Sequence, residues 1–364
     1  MEEKKILKDP LVSVVVHNFN YARYLRQCFD SLVNQTYSNV EILFSDNDST
    51  DESWQIALEY DNKYPGRFSL AKNRRNVGAY QNFRVWASNL SGDFWINVCS
   101  DDFIDPRFLE RAMDAFKQYP KSSFLLAHRS IVDEQGTIKD EAPFFNQSCV
   151  LYPPGLSKLF MKASLAPSSS QQIYRVDKSP NASGSPIGSR GLFRSFFGQR
   201  ITDFLCSLET PMIYIKEPMV FTRIHSNNHG RFSENYMIEI IGAYGLGFEF
   251  LEYVQELKPE FLPAFQEEFP SAIEKHARTA LRYSARFLKQ ENFELARRYI
   301  FLSLALHPDL ENEEMTKELL YLTEKKHKPD NIAFFEKLDK NPNILQRTVS
   351  YEPTKPFEPL KFSK

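Results

Sequence analysis

The chain has 364 residues and a formal net charge of −2, with 47 acidic against 45 basic side chains. That balance excludes the basic footprint of a nucleic-acid binder, and 31 Phe with 17 Tyr exclude a disordered chain. Four scattered cysteines, Cys28, Cys99, Cys149 and Cys206, form no C-x-x-C pair, which argues against a zinc site or a disulfide framework.

The opening Met-Glu-Glu-Lys-Lys lacks the apolar core of a signal peptide, and no apolar run reaches the length of a membrane span. The expectation is a cytoplasmic protein. Leu11–Val16 is a nearly continuous apolar run, the mark of a strand covered on both faces, and it ends at His17-Asn18-Phe19-Asn20. Asn20 is placed to cap a helix in which Leu25, Phe29 and Leu32 recur at helical spacing. Val40–Phe44 reads as the second strand and runs into Ser45-Asp46-Asn47-Asp48-Ser49-Thr50-Asp51-Glu52. Ser49 and Glu52 have capping-box spacing, which predicts a helix from there to about Tyr64. Phe68–Ala71 is a short third strand, followed by Asn73-Arg74-Arg75-Asn76-Val77-Gly78 and a helix over Tyr80–Leu90.

The fourth strand, Asp93–Val98, stops at the adjacent carboxylates Asp101 and Asp102, with Asp105 and Pro106 beyond. Like charges side by side at a strand end are costly unless neutralised, and a divalent cation holding a phosphorylated substrate would do so. Strands alternating with helices, each strand ending in a polar cluster, predict a mainly parallel α/β sheet that binds its ligand at the carboxyl edge.

Downstream, Phe108–Tyr119 predicts a helix, Ser123–His128 a strand and Ile131–Ile138 a hairpin. Ser164–Arg194 is rich in Ser, Pro and Gly and reads as a mobile loop beside the site. Phe193–Leu208 returns to helical spacing and carries Asp203, while Met212–Ile215 and Met219–Ile224 are two apolar runs separated by Glu217-Pro218. From about Tyr236 the pattern is helical. Ala280, Tyr283, Ala296, Tyr299, Ala305 and Pro308 are spaced like one tetratricopeptide helix pair. The expected organisation is 1–232 as the α/β domain, in two halves that meet at about 130. A helical extension over 233–345 and a flexible tail over 346–364 follow.

Taken in order, these segments resemble the family 2 glycosyltransferases, the inverting group with the GT-A fold, over roughly Pro10 to Asn228. The residues carrying the resemblance are Val12–Tyr21, Tyr24-Leu25, Ser31-Leu32, Asn34–Tyr37, Asp46–Asp51, Asn76-Val77-Gly78, Gly92-Asp93-Phe94 and Ser100-Asp101-Asp102. The resemblance implies a Rossmann-like sheet flanked by helices. It also implies a pocket lined by Val16, His17 and Asn18, with Asp46 against the uracil ring of the donor. Arg75, Asn76 and Gly78 would meet the nucleotide, Asp101 would face the ribose, and Asp102 would bind Mn²⁺ or Mg²⁺. Asp203 stands where the family places its catalytic base, with Glu209 as the fallback. His225, in Pro218–Ser226, stands where some relatives place a metal ligand. Two departures are visible: Cys99 replaces a frequent Asp, and Thr202 replaces the usual Glu before the base.

The expected activity is metal-dependent transfer of a sugar from a nucleotide-sugar donor, with UDP implied by Asp46, to a glycan or lipid-linked acceptor in bacterial surface polysaccharide synthesis. Peripheral association with a membrane-bound acceptor and an unidentified protein partner for the helical tail complete the expectation. The alternatives are a nucleotidyltransferase and a decayed binding module. The first needs a glycine-rich phosphate loop that His17–Asn20 does not supply; Cys99 and Thr202 favour the second.

Overall fold

The structure is a computed structural model, and it describes residues 9–87, 90–162, 167–178, 194–225, 235–327 and 350–362. Two compact units make up the chain: Met1–Ser157 with Ala166–Ile224 and Val349–Lys364, and Lys158–Leu165 with His225–Thr348.

The first unit is built on β1 (Val12–Asn18), β2 (Val40–Asp46), β3 (Phe68–Lys72) and β4 (Phe94–Asn97). β1 pairs in parallel with β2 and β4, and β2 with β3. Val12, Val14, Val15 and Val16 are fully buried, as expected of a strand covered on both faces. Each contributes about 1.5–3 kcal/mol of burial. Helices α1 (Ala22–Val33), α2 (Ser53–Lys63), α3 (Ala79–Ala87) and α4 (Phe108–Gln118) make the crossovers. Leu25, Phe29 and Leu32 of α1 are buried as their spacing predicts. Gly92 admits β4 beside β1: a Cβ there would lie 2.6 Å from Ser13 Oγ and 2.8 Å from the Ser13 backbone N.

The strand order is β11 (Phe357–Pro359), β8 (Cys149–Leu151), β10 (Met212–Arg223), β6 (Phe124–Val132), β9 (Gln172–Arg175), β4, β1, β2, β3. The chain winds outward from β1 to β3, then returns to lay β4 on the other side of β1. The carboxyl ends of β1 and β4 therefore flank a topological switch point, where open α/β sheets bind their ligands.

Beyond β4 come β5 (Phe103–Ile104), β6 (Phe124–Val132), β7 (Ile138–Lys139), β8 (Cys149–Leu151), α5 (Gly155–Met161), β9 (Gln172–Arg175), α6 (Arg194–Glu209) and β10 (Met212–Arg223). The predicted hairpin is present, with Ile131 opposite Lys139 and Val132 opposite Ile138.

Five local expectations are corrected. Asn20 does not cap α1: it sits at φ 57° and accepts the Thr50 N–H, while Asp51 Oδ2 accepts the Ala22 N–H at 2.9 Å. Ser49 and Glu52 form no capping box, because the Ser49 hydroxyl accepts from Asn18 Nδ2 and the Asn20 N–H. In both cases a contact between neighbouring loops wins over the local one. Ser164–Arg194 is not a plain loop: Ser169–Gln171 is a 3-10 turn and β9 lies antiparallel between β4 and β6. Residues 164–166 and 179–193 of that stretch lie outside the described residues. The two apolar runs fall on one strand, Met212–Arg223, with register shifts at Ile215/Pro218 and Pro218/Val220 absorbing the proline. The tail is not all free, since β11 (Phe357–Pro359) pairs antiparallel with β8 and Leu360 is buried.

The second unit contains α7 (Ile238–Leu257), α8 (Leu262–Lys289), α9 (Phe293–Leu306) and α10 (Glu314–Glu324). Ala280, Tyr283, Ala296 and Tyr299 are buried, and the Tyr283 and Tyr299 rings stack at 5.2 Å. Ala305 is exposed. Asn292 caps α9 by accepting the Leu295 N–H.

Candidate active site

The edge of the sheet begins with Asn18 and Asp46, last residues of β1 and β2 and both buried. Asp46 Oδ2 accepts from Asn18 Nδ2 at 3.1 Å and Oδ1 from the Ser49 N–H at 2.9 Å. These bonds turn the chain sharply after β2, with Asp48 held at φ 64°. Asn47 then ties in the next loop. Its Oδ1 accepts the Val77 N–H at 2.9 Å, and its Nδ2 donates to Asn76 Oδ1 at 2.8 Å. Asn76 Oδ1 also accepts the Gly78 N–H. Gly78 sits at φ +84°, a conformation that a side chain disfavours.

The sequence reading missed Asn82 beneath this loop. It is buried in α3, donates to the Asn18 and Ser45 carbonyls at 3.2 and 3.1 Å, and accepts from Asn73 Nδ2 at 2.8 Å. The signal was present. Asn82 lies one turn from Trp86, whose Nε1 donates to the Phe44 carbonyl, so an amide sits on the sheet-facing side of a short helix. Val16 is fully buried, and Arg75 is exposed on the loop before Asn76. His17 is half-buried by area. Its Nδ1 lies 3.0 Å from Asn97 Oδ1, and desolvation lowers its pKa below the usual imidazole value.

At the end of β4 the chain turns through an Asp102 N–H to Cys99 carbonyl bond of 3.0 Å. Asp101 and Asp102 are 8% and 3% exposed. Asp102 Oδ2 accepts the Ser170 hydroxyl at 2.6 Å, and Oδ1 accepts the Arg223 backbone N–H at 2.9 Å. Burial first, then the neighbouring Asp101 charge, raise the Asp102 carboxyl well above the usual carboxylate range. The Arg223 side chain braces the same turn: Nε donates to the Asp101 carbonyl, and another guanidinium N–H to Gln27 Oε1. Its guanidinium lies 4.5 Å from the centre of the Tyr24 ring. Cys99, the departure from the acidic pattern, has its Sγ 3.2 Å from Ser169 Oγ, and burial keeps it a neutral thiol.

Asp203 lies in the body of α6, not at its start, and is 1% exposed. Its Oδ1 accepts from Gln172 Nε2 at 2.8 Å and from the Tyr174 hydroxyl, both on β9. Its Oδ2 has no hydrogen-bond partner among the described residues. Desolvation pushes the carboxyl up to about 7, against the opposing effect of those two donors. Thr202 bonds back to the Gly198 carbonyl within the helix, and Glu209 is the exposed last residue of α6. His225 is buried and opens the helical unit.

The structure therefore brings Asn18, Asp46, Asn76 and Gly78 into one hydrogen-bonded assembly, and ties Asp102 and Asp203 to one short segment, Ser170–Tyr174. Ser170, Gln172 and Tyr174 were hidden inside a stretch read as loop. Their trace was the alternation Gln172-Ile173-Tyr174, which is strand-like.

Residues 13–176 match the profile of glycosyl transferase family 2. A chondroitin synthase of Escherichia coli is 26% identical over 139 residues, 38% of this chain and 20% of that protein. The putative glycosyltransferase EpsH of Bacillus subtilis is 35% identical over 108 residues, 29% of this chain and 30% of that protein. The matched stretch thus spans less than a third of either relative. The crystal structure of S. aureus TarS 1–349 in complex with UDP-GlcNAc superposes with a TM-score of 0.50 at 17% identity, covering 85% of this chain and 91% of that one. That likeness concerns the fold.

Proposed function

We propose that this chain, which carries a family 2 glycosyl transferase domain of GT-A fold over residues 13–176, moves a sugar from a nucleotide-sugar donor to a hydroxyl group, inverting the anomeric centre. The donor is a UDP-sugar, and the acceptor is a glycan or lipid-linked glycan of a bacterial surface polysaccharide. The observation that carries this reading is the arrangement of two buried carboxylates, Asp102 at the switch point and Asp203 on α6, both bonded to Ser170–Tyr174. One suits the donor's diphosphate and the other the acceptor's proton.

The donor set fits a hard divalent cation. Burial and the neighbouring Asp101 charge raise the cost of ionising Asp102, and Mn²⁺ or Mg²⁺ takes one or two carboxylates together with phosphate oxygens. No cluster of three or more His, Cys, Asp or Glu in metal-holding array occurs among the described residues. Such a cation would be completed by the donor and by water. Asp102 would hold it. Bound there, it would supply neutralisation of the leaving diphosphate's charge.

The protein's own residues do the rest. The Asn18–Asp46 edge and the Asn76–Gly78 loop receive the nucleotide, Asp46 reading the uracil N–H, Val16 and His17 lining the pocket and Arg75 meeting phosphate. Asp101 takes the ribose hydroxyls. Asp203 Oδ2, the oxygen without a partner among the described residues, accepts the proton of the attacking hydroxyl. Displacement from the opposite face, through an oxocarbenium-like state, inverts the anomeric carbon. The site of action proposed is the cytoplasm, with peripheral contact to a membrane-bound acceptor; no helix among the described residues is long and apolar enough to cross a membrane.

Calorimetric titration of UDP, dTDP and GDP, each with and without Mn²⁺, tests the reading. Metal-dependent, UDP-selective binding that disappears in Asp102→Ala is expected. Equal binding of all three without metal, or none at all, overturns it. The second reading, a decayed binding module, draws on Cys99: a neutral thiol bonded to Ser169 adds no charge for a cation.

A further inference from the structure

We propose that Tyr174 and Gln172 are positioning residues for Asp203: together they occupy its Oδ1, fix the carboxyl plane and leave Oδ2 as the single oxygen presented to the acceptor hydroxyl. The proposal rests on the reading of Asp203 as the base.

The geometry is specific. Tyr174 Oη and Gln172 Nε2 both donate to the same oxygen. Gln172 and Tyr174 are two residues apart on one strand, so their side chains leave the same face of the sheet. Each is locked from behind. The Tyr174 ring stacks on Trp95 of β4 at 4.9 Å and on Phe124 of β6 at 6.0 Å, filling the space between two strands. The Gln172 amide oxygen accepts from Gln199 Nε2, one α6 turn before Asp203, which sets the amide so that its nitrogen faces the carboxylate. A rotation of Asp203 about its side chain would break two charge-assisted bonds at once.

The asymmetry matters for catalysis. A carboxylate with both oxygens solvated is a weak base and offers protons two sites. Here burial makes Asp203 more basic, and the two donors hold its charged form in one orientation. The charged and titratable groups that act on it are Tyr174 from β9 and Arg200 and Cys206 from α6 itself. Tyr174 and Cys206 are both held protonated by burial, so neither competes for the acceptor's proton near neutral pH. The segment that presents Asp203 also carries Ser170, bonded to Asp102. β9 therefore sets the spacing between the diphosphate end and the acceptor end of the proposed reaction.

The experiment is a carboxyl-carbon NMR titration of Asp203, assigned by loss of its signal in Asp203→Asn, in the full chain, in Tyr174→Phe and in Gln172→Met. It is run beside the pH dependence of UDP release from UDP-GlcNAc. Tyr174→Phe keeps the stacked ring and removes only the donor. The Asp203 midpoint should rise by about one to two pH units in either variant. The acid limb of kcat should move with it while KM for the donor stays unchanged. An unmoved Asp203 midpoint in both variants overturns the positioning role. A midpoint that moves while the acid limb stays put overturns instead the assignment of Asp203 as base, and with it the catalytic meaning of the two donors.

Discussion

The Ser170 hydroxyl donates to Asp102 Oδ2 at 2.6 Å and accepts the Cys99 N–H at 3.0 Å. One buried side chain, on the 3-10 turn Ser169–Gln171, thus bridges two residues of the turn after β4. Ser170→Ala would remove a donor from a buried carboxylate and orphan a buried amide. We expect a loss of about 2–4 kcal/mol in stability, and a roughly tenfold weaker metal-dependent affinity for UDP. Urea denaturation and calorimetry measure the two. Unchanged UDP affinity would remove Ser170 from the proposed donor site.

Asp203→Asn should leave UDP binding as in the parent and lower kcat by about two to four orders of magnitude, the usual worth of a general base. The parent's kcat should fall as pH drops below about 7, where Asp203 becomes protonated. Stability runs the other way. The folded pKa is raised above the unfolded value of 3.8, so this group's contribution is complete below pH 3.8 and is lost as pH rises through about 7. Asp203→Asn abolishes that loss. Its urea midpoint should therefore decline less than the parent's between pH 5 and pH 8. A parallel decline in both proteins would contradict the burial-driven shift.

Asn82→Ala deletes three hydrogen bonds beneath the Asn76–Gly78 loop. A cost of about 2–4 kcal/mol is expected, since two buried carbonyls lose their donor. Gly78→Ala meets no atom within 4 Å, so its penalty is purely that of φ +84°, about 1 kcal/mol. Both should weaken UDP binding, the first more than the second. Thermal melts with and without UDP rank them; a Gly78→Ala protein as stable as the parent would show that the loop relaxes to another conformation.

The C-terminal strand makes its own prediction. Deleting residues 350–364 bares the β8 edge and uncovers the core around Leu360. An exposed edge strand recruits other chains. Light scattering should show association of the truncated protein at concentrations where the parent stays dispersed. Leu360→Ala alone should cost about 2 kcal/mol.

Part of this molecule was legible before any fold was seen, and the reason is physical. β1 and β2 are buried on both faces, so their sequences had to be apolar runs. Open parallel sheets bind ligands at their carboxyl edge, so His17–Asn20, Asp46–Asp51 and Asp101-Asp102 stand out as candidates by where those runs stop. Local pattern failed wherever a distant partner decided the outcome. Ser49 had a legal capping role and gave it up to Asn18. β10 crosses Pro218 because its pairing with β6 resumes beyond the bulge. β9 looked like loop, since Ser170, Gln172 and Tyr174 gain their meaning from Asp102, Asp203 and Trp95, which are remote in sequence. The sequence by itself determined the alternating sheet and the acidic turn at its edge, because burial of backbone polar groups leaves few other uses for such apolar runs. Only the tertiary structure decided which oxygen of Asp203 carries donors and which does not. That choice depends on hydrogen bonds between residues some 30 positions apart, and direction in space is not written in local pattern.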